Sequence, residues 1–155
     1  MRHSAHSLVR CLVVALAAVA AISVLAAAQG DRDRPSGRSD TRYLMSEDLF
    51  AIPGKQGHVL HLKLPPGWVG MRHTHTGDVF VYVLSGEFGV DVEGKRLSFS
   101  AGEVYHEAVN TVMQARNLYA GKATEILLFQ VGEKGKPLTV VVDGHATDHA
   151  TPPGE

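Results

Sequence analysis

Residues 67–86 read Gly-Trp-Val-Gly-Met-Arg-His-Thr-His-Thr-Gly-Asp-Val-Phe-Val-Tyr-Val-Leu-Ser-Gly, and this stretch decides the fold. His73 and His75 stand two residues apart in an extended segment, so both imidazoles leave the same face of a strand and can converge on one point, as metal ligands do. Val79 to Leu84 follows as six consecutive apolar residues, mostly β-branched or aromatic, which predicts a strand buried on both sides. Glycines punctuate the ends.

The flanking sequence continues in the same idiom. Positions 58, 60, 62 and 64 are His, Leu, Leu and Leu, alternating with Val59, His61 and Lys63; a two-residue period with one apolar face predicts a strand with His58 on its inward side. Pro65-Pro66-Gly67 ends it. Phe88, Val90 and Val92 alternate with Glu87, Gly89 and Asp91 before a hairpin turn at Glu93-Gly94-Lys95. Short strands are expected around Leu97 and Phe99 and over 104–107, 113–116, 125–131 and 138–142. For 43–52 either a short strand or a turn of helix fits. Many short strands joined by glycine turns indicate an all-β barrel or sandwich.

The stretch 67–86 resembles the first motif of the cupins: a glycine, five residues, His-x-His, three residues, a glutamate, six residues and a glycine. Gly67, His73, His75 and Gly86 fall on that pattern, while Val79 occupies the glutamate position. The second cupin motif runs glycine, five residues, Pro-x-Gly, two residues, a histidine, three residues and an asparagine. Gly102 and Asn117 match it at the correct separation; Ala108, Asn110 and Met113 replace its proline, glycine and histidine. Asparagine tolerates positive φ better than most residues, so Asn110 is a mild change. The resemblance spans about residues 45–142 and implies a cupin-type double-stranded β-helix, a jelly-roll barrel.

The resemblance also implies a metal site built from two histidines and a glutamate of the first motif and one histidine of the second, suited to Fe, Mn, Ni, Zn or Cu. Only His73 and His75 remain of those four. Glu107 is the candidate replacement carboxylate, and a candidate general base, because it shares a face with Tyr105 in a short strand; the alternative is a surface glutamate. His106 takes its place if a β-bulge shifts the alternation. Met113 is either a core methionine filling the space of the absent histidine or a thioether ligand suited to copper, Cu(I) above all. A histidine pair in a barrel without metal would hydrogen-bond to neighbours or water. Trp68, Phe80, Tyr82 and Tyr105 read as core residues, one or two of them lining a cavity.

Composition bounds the rest. Arg2 and Arg10 precede an uncharged run from Cys11 to Ala28 that ends Ala-Ala-Ala before Gln29, the pattern of a cleaved secretory signal peptide over 1–28. Eighteen uncharged residues also reach the lower limit of a membrane anchor. The expected organisation is a signal at 1–28, a flexible polar lead-in at 29–42, the barrel at 43–142 and a disordered tail at 143–155, where His145 and His149 read as solvated. The location implied is periplasmic or secreted, with membrane contact only through the signal. The single cysteine lies in that signal, so the remainder has neither disulfide nor thiolate ligand. Without Arg2 and Arg10, thirteen Lys and Arg face sixteen Asp and Glu, a balance that excludes a nucleic-acid partner. The partners to expect are a small-molecule ligand inside the barrel and, as the family often does, a second copy in a homodimer. Two functions fit: a binding module that holds a metal or small molecule, and a metal-dependent dioxygenase or isomerase.

Overall fold

A computed structural model describes residues 36–142. The signal expected at 1–28 and the tail expected at 143–155 lie outside the described residues. Ten strands follow in order: β1 (Asp40–Asp48), β2 (Lys55–Leu64), β3 (His73–His75), β4 (Asp78–Ser85), β5 (Glu87–Val92), β6 (Lys95–Ser100), β7 (Val104–Glu107), β8 (Met113–Asn117), β9 (Thr124–Glu133) and β10 (Thr139–Val141). They form two five-stranded antiparallel sheets, one ordered β1-β2-β9-β4-β7 and the other β10-β3-β8-β5-β6. β1 begins at Asp40, so the polar segment read as a lead-in ends in a strand. Ser36 is also bridged to Val69.

The core lies between the sheets. Leu60 and Leu64 of β2, Val79, Val81 and Val83 of β4, Phe88 and Val90 of β5, Met113 of β8, and Ile126 and Leu128 of β9 are buried together. Their two-residue spacing is the strand period, one face in and the next out. The same period corrects one expectation from sequence. β4 is not buried on both sides: Val79, Val81 and Val83 point inward, while Phe80, Tyr82 and Leu84 are 41, 42 and 42 % exposed on the outer face. An unbroken apolar run cannot distinguish two-sided burial from an outer face built of large apolar side chains. Phe80 and Tyr82 are therefore not core residues; Phe80 stacks on His106 with ring centroids 4.9 Å apart. Trp68 and Tyr105 do pack against the core.

Two turn positions explain why motif spacing survives where side chains have changed. Gly86 has φ +85°, and a Cβ there would stand 2.4 Å from Thr124 Oγ1, so only glycine fits. Asn110, in place of the second motif's glycine, has φ +60°, a left-handed conformation asparagine adopts at low cost. Asn117 closes the same region. Its side-chain NH2 donates to the carbonyls of Leu64, Pro65 and Lys122 at 3.2, 2.8 and 2.7 Å. Its oxygen accepts from Tyr119 N–H at 2.9 Å and Thr124 Oγ1 at 2.7 Å. One asparagine thus ties the end of β2 to β8 and to the entry of β9.

Candidate metal centre

β3 is three residues long and carries both imidazoles. β10 pairs with one of its edges, setting Thr139 opposite His75, and β8 pairs with the other, setting Met113 opposite His73. Both rings are oriented by backbone carbonyls, which only accept hydrogen bonds. His73 Nδ1 lies 2.8 Å from Met71 O, and His75 Nδ1 lies 3.2 Å from Leu138 O. Each Nδ1 is therefore a donor, and the two Nε2 atoms face one another: His73 Nε2 is 3.2 Å from His75 Nε2, with the rings edge to face.

Glu107 completes the group. Within β7 the alternation holds without a bulge. Glu107 points inward and is 3 % exposed, and its Oε2 is 3.1 Å from His75 Nε2. His106 points outward to a hydrogen bond with the Asp78 carboxylate at 2.9 Å. The register accounts for the departure from the first cupin motif, because Glu107 on β7 is directly opposite Val79 on β4. The carboxylate absent from position 79 is supplied by the cross-strand neighbour, whose Cβ lies about 5 Å away on the same face. Met113, directly opposite His73, is fully buried as a member of the apolar core.

Glu107, His75 and His73 form a chain of contacts with His75 in the middle. Among the described residues no group of three or more His, Cys, Asp or Glu side chains stands ready-formed around an ion position. Two of the three pairwise separations within Glu107, His75 and His73 are those of ligands sharing one ion. Ligand nitrogens about 2.0–2.1 Å from one ion lie about 2.9–3.4 Å apart for angles between square and tetrahedral, and both measured separations fall in that interval. A proton on His75 Nε2 would have to be shared between Glu107 and His73, whereas one cation satisfies all three acceptors at once.

Sequence reading missed one neighbour. Gln130 of β9 is completely buried and stands opposite Val79 on one side and His58 on the other. Its Nε2 donates to Leu138 O at 2.9 Å, the carbonyl that also anchors His75, and its Oε1 has no hydrogen-bond partner. The signal was present in β9, where Gln130 follows Ile126 and Leu128 in the inward phase. His58 is buried as its alternation predicts, with Nδ1 2.9 Å from Ser46 Oγ, and burial lowers its pKa.

The Cupin domain family pattern matches residues 60–129, which includes β3, β4, β7 and β8. Residues 60–129 of this chain are a cupin domain. Solved structures agree on the fold. A cupin-like protein from Thermotoga maritima is 16 % identical with TM-score 0.55, over 69 % of this chain and 77 % of that one. A conserved double-stranded β-helix protein from Klebsiella pneumoniae is 19 % identical with TM-score 0.55, over 74 % of this cupin and 94 % of that chain. The DMSP lyase of Ruegeria pomeroyi is 18 % identical with TM-score 0.57, over 70 % of this cupin and 54 % of the lyase. No curated protein sequence matches. At these identities the likeness is one of fold, a barrel able to hold a small molecule or a metal.

Proposed function

We propose that this cupin is a metal-binding barrel that holds one divalent transition ion on His73 Nε2, His75 Nε2 and the Glu107 carboxylate, with a small molecule as its further ligand. The observation that carries this reading is the hydrogen bonding of the two Nδ1 atoms to carbonyls, which turns the Nε2 atoms towards one another and that of His75 towards a buried carboxylate. Two imidazoles and a carboxylate suit Fe, Mn, Ni or Zn better than Cu(I). Met113 then acts as packing beside His73, filling the place of the second motif's histidine. The chain is exported, following its N-terminal signal.

The test is the metal content of the protein purified without chelator, beside a His73→Ala/His75→Ala variant. A near-stoichiometric ion in the native protein that is lost in the variant supports the reading. No ion in either, with none taken up on reconstitution, removes it.

A catalytic role is favoured by the donor set itself, because three protein ligands leave positions for water and substrate on an ion that prefers five or six. A bound metal would there supply Lewis acidity, and Glu107, if freed from it, a general base. Water proton relaxation on the Mn2+-loaded protein decides between the two roles. Fast-exchanging inner-sphere water keeps the catalytic reading, and a closed shell leaves the binding module.

A further inference from the structure

The outer face of the β1-β2-β9-β4-β7 sheet is apolar at its middle. Strand pairing sets one row of directly opposed residues across it as Met45, Val59, Phe129, Phe80 and His106. The adjacent row crosses β2, β9, β4 and β7 as His61, Leu127, Tyr82 and Val104. Met45, Phe80, Tyr82, Val104 and Phe129 are 36–57 % exposed. The inward phase of the same strands already supplies the core, so packing within one copy gives this outward phase no task. Neither row carries Asp, Glu, Lys or Arg over those four strands. The carboxylates beside the rows hold partners in the same sheet: Glu125 lies 3.0 Å from His61 and 3.4 Å from Lys63, and Asp78 2.9 Å from His106.

We propose that a second copy of this chain docks here, the two sheets packing outer face to outer face about a two-fold axis. Area and charge favour that occupant. With Leu84, which continues the outward phase of β4, the exposed side chains present about 400–500 Å2 of apolar surface, towards the upper end of what a monomer carries. An interface of standard size covers about 800 Å2 on each partner, of which about 450–520 Å2 is apolar. The patch therefore has the area of the apolar part of one such interface. Its uncharged middle gives a strongly acidic or basic partner nothing to grip, and a patch of the same size and chemistry is what two-fold association of identical chains supplies. Docking also braces β7. That strand is four residues long, lies at the sheet edge and pairs with β4 alone; a partner copy covers its outward Val104 while Glu107 stays inward. The inference stands without the metal reading.

Sedimentation velocity of the native protein is expected to show a dimer at micromolar concentration. The dimer should persist when sodium chloride is raised to about 1 M, where charges are screened beyond about 3 Å. Tyr82→Glu and, separately, Phe129→Glu each set a charge in the covered middle, and the dissociation constant should rise about 30-fold or more with far-UV circular dichroism retained. Val104→Lys, at the most exposed of these positions, replaces either variant if it unfolds and should weaken the dimer in the same direction. Val140→Glu, at an exposed apolar position of the other sheet, leaves the dimer intact. Hydrogen exchange places the contact: β7 amides exchange more slowly in the native dimer than in Tyr82→Glu, and β6 amides equally in both. A native protein that is monomeric at these concentrations overturns the proposal. So does a dimer that dissolves in high salt, or one that Val140→Glu separates and Tyr82→Glu does not. Slow β7 exchange in a monomeric native protein assigns the face to the chain's own residues outside 36–142 and overturns it equally.

Discussion

Exchanging Val79 and Glu107 tests whether the carboxylate has moved across the strand pair without changing its task. The two residues are directly opposed on β4 and β7 and both are buried. Glu107→Val removes the carboxylate proposed above as a ligand. Loss of a mere outer-shell partner costs about 10–100-fold in metal affinity, so loss of the carboxylate itself is expected to weaken binding by about 100-fold or more, equivalent to about 2.8 kcal/mol. In the metal-free protein the same change leaves the buried His75 Nε2 without the carboxylate 3.1 Å away, so the melting temperature falls. Val79→Glu alone sets two carboxylates about 5 Å apart on one buried face; one must take up a proton, and the metal-free protein melts lower at neutral pH. The double exchange restores a single carboxylate on the same face and is expected to recover affinity to within about tenfold of native. Calorimetric titration with Zn2+ and Mn2+, beside thermal melts of all four proteins, reads the cycle. Unchanged affinity in Glu107→Val, or a double variant as weak as Glu107→Val, refutes the reasoning.

Further outcomes follow from other parts of the barrel. Burial lowers the pKa of His58 in the fold, so the unfolded chain binds its proton first. Stability attributable to this ring is complete above the unfolded-state pKa of about 6.5 and declines as pH falls from there towards the lower folded value; His58→Phe should flatten that decline in melts recorded between pH 5 and 7.5. Asn117→Ala removes the acceptor of Tyr119 N–H, one of the two acceptors of the Thr124 hydroxyl, and the donor to the carbonyls of Leu64, Pro65 and Lys122. The expected loss is about 3 kcal/mol in urea denaturation, and a loss below about 1 kcal/mol would deny Asn117 its tying role. Gly86→Ala brings a Cβ to 2.4 Å from Thr124 Oγ1 and 2.9 Å from Thr124 Cα at φ +85°; strain and overlap together should cost about 3 kcal/mol, whereas a native-like melt would mean that β4, β5 and Thr124 can separate freely.

Much of the fold was legible because strands announce themselves by a period of two and glycine turns by position. β7 falls at 104–107 as read, and β2, β4, β5, β8 and β9 fall within a few residues of their expected bounds. The lone failure of facing was β4, where Phe80, Tyr82 and Leu84 extend an apolar run onto the outer surface and conceal the alternation. The site was legible in part. His-x-His fixes both imidazoles on one face, and the alternation of Tyr105, His106 and Glu107 placed the carboxylate on a definite side without saying which side was inside. That choice depends on β7 pairing with β4 in the register Val79 to Glu107, a long-range fact with no local trace. The carbonyls of Met71 and Leu138, which set the tautomers, are invisible in sequence because every residue has one. Gln130 was missed for a related reason: a glutamine at the end of an apolar strand reads as the strand leaving the core, and only its burial shows otherwise.

In the function proposed above, His73 and His75 present Nε2 lone pairs to a common ion. The measurement that reaches it most directly is long-range 1H–15N correlation of the imidazoles in metal-free protein, repeated with one equivalent of Zn2+. Both rings are expected in the Nδ1-protonated form at neutral pH, with Zn2+ shifting the Nε2 signals of His73 and His75 together while His61 and His106, hydrogen-bonded to Glu125 and Asp78, stay in place. An Nε2-protonated tautomer at His75, or zinc-induced shifts confined to the surface histidines, would contradict it.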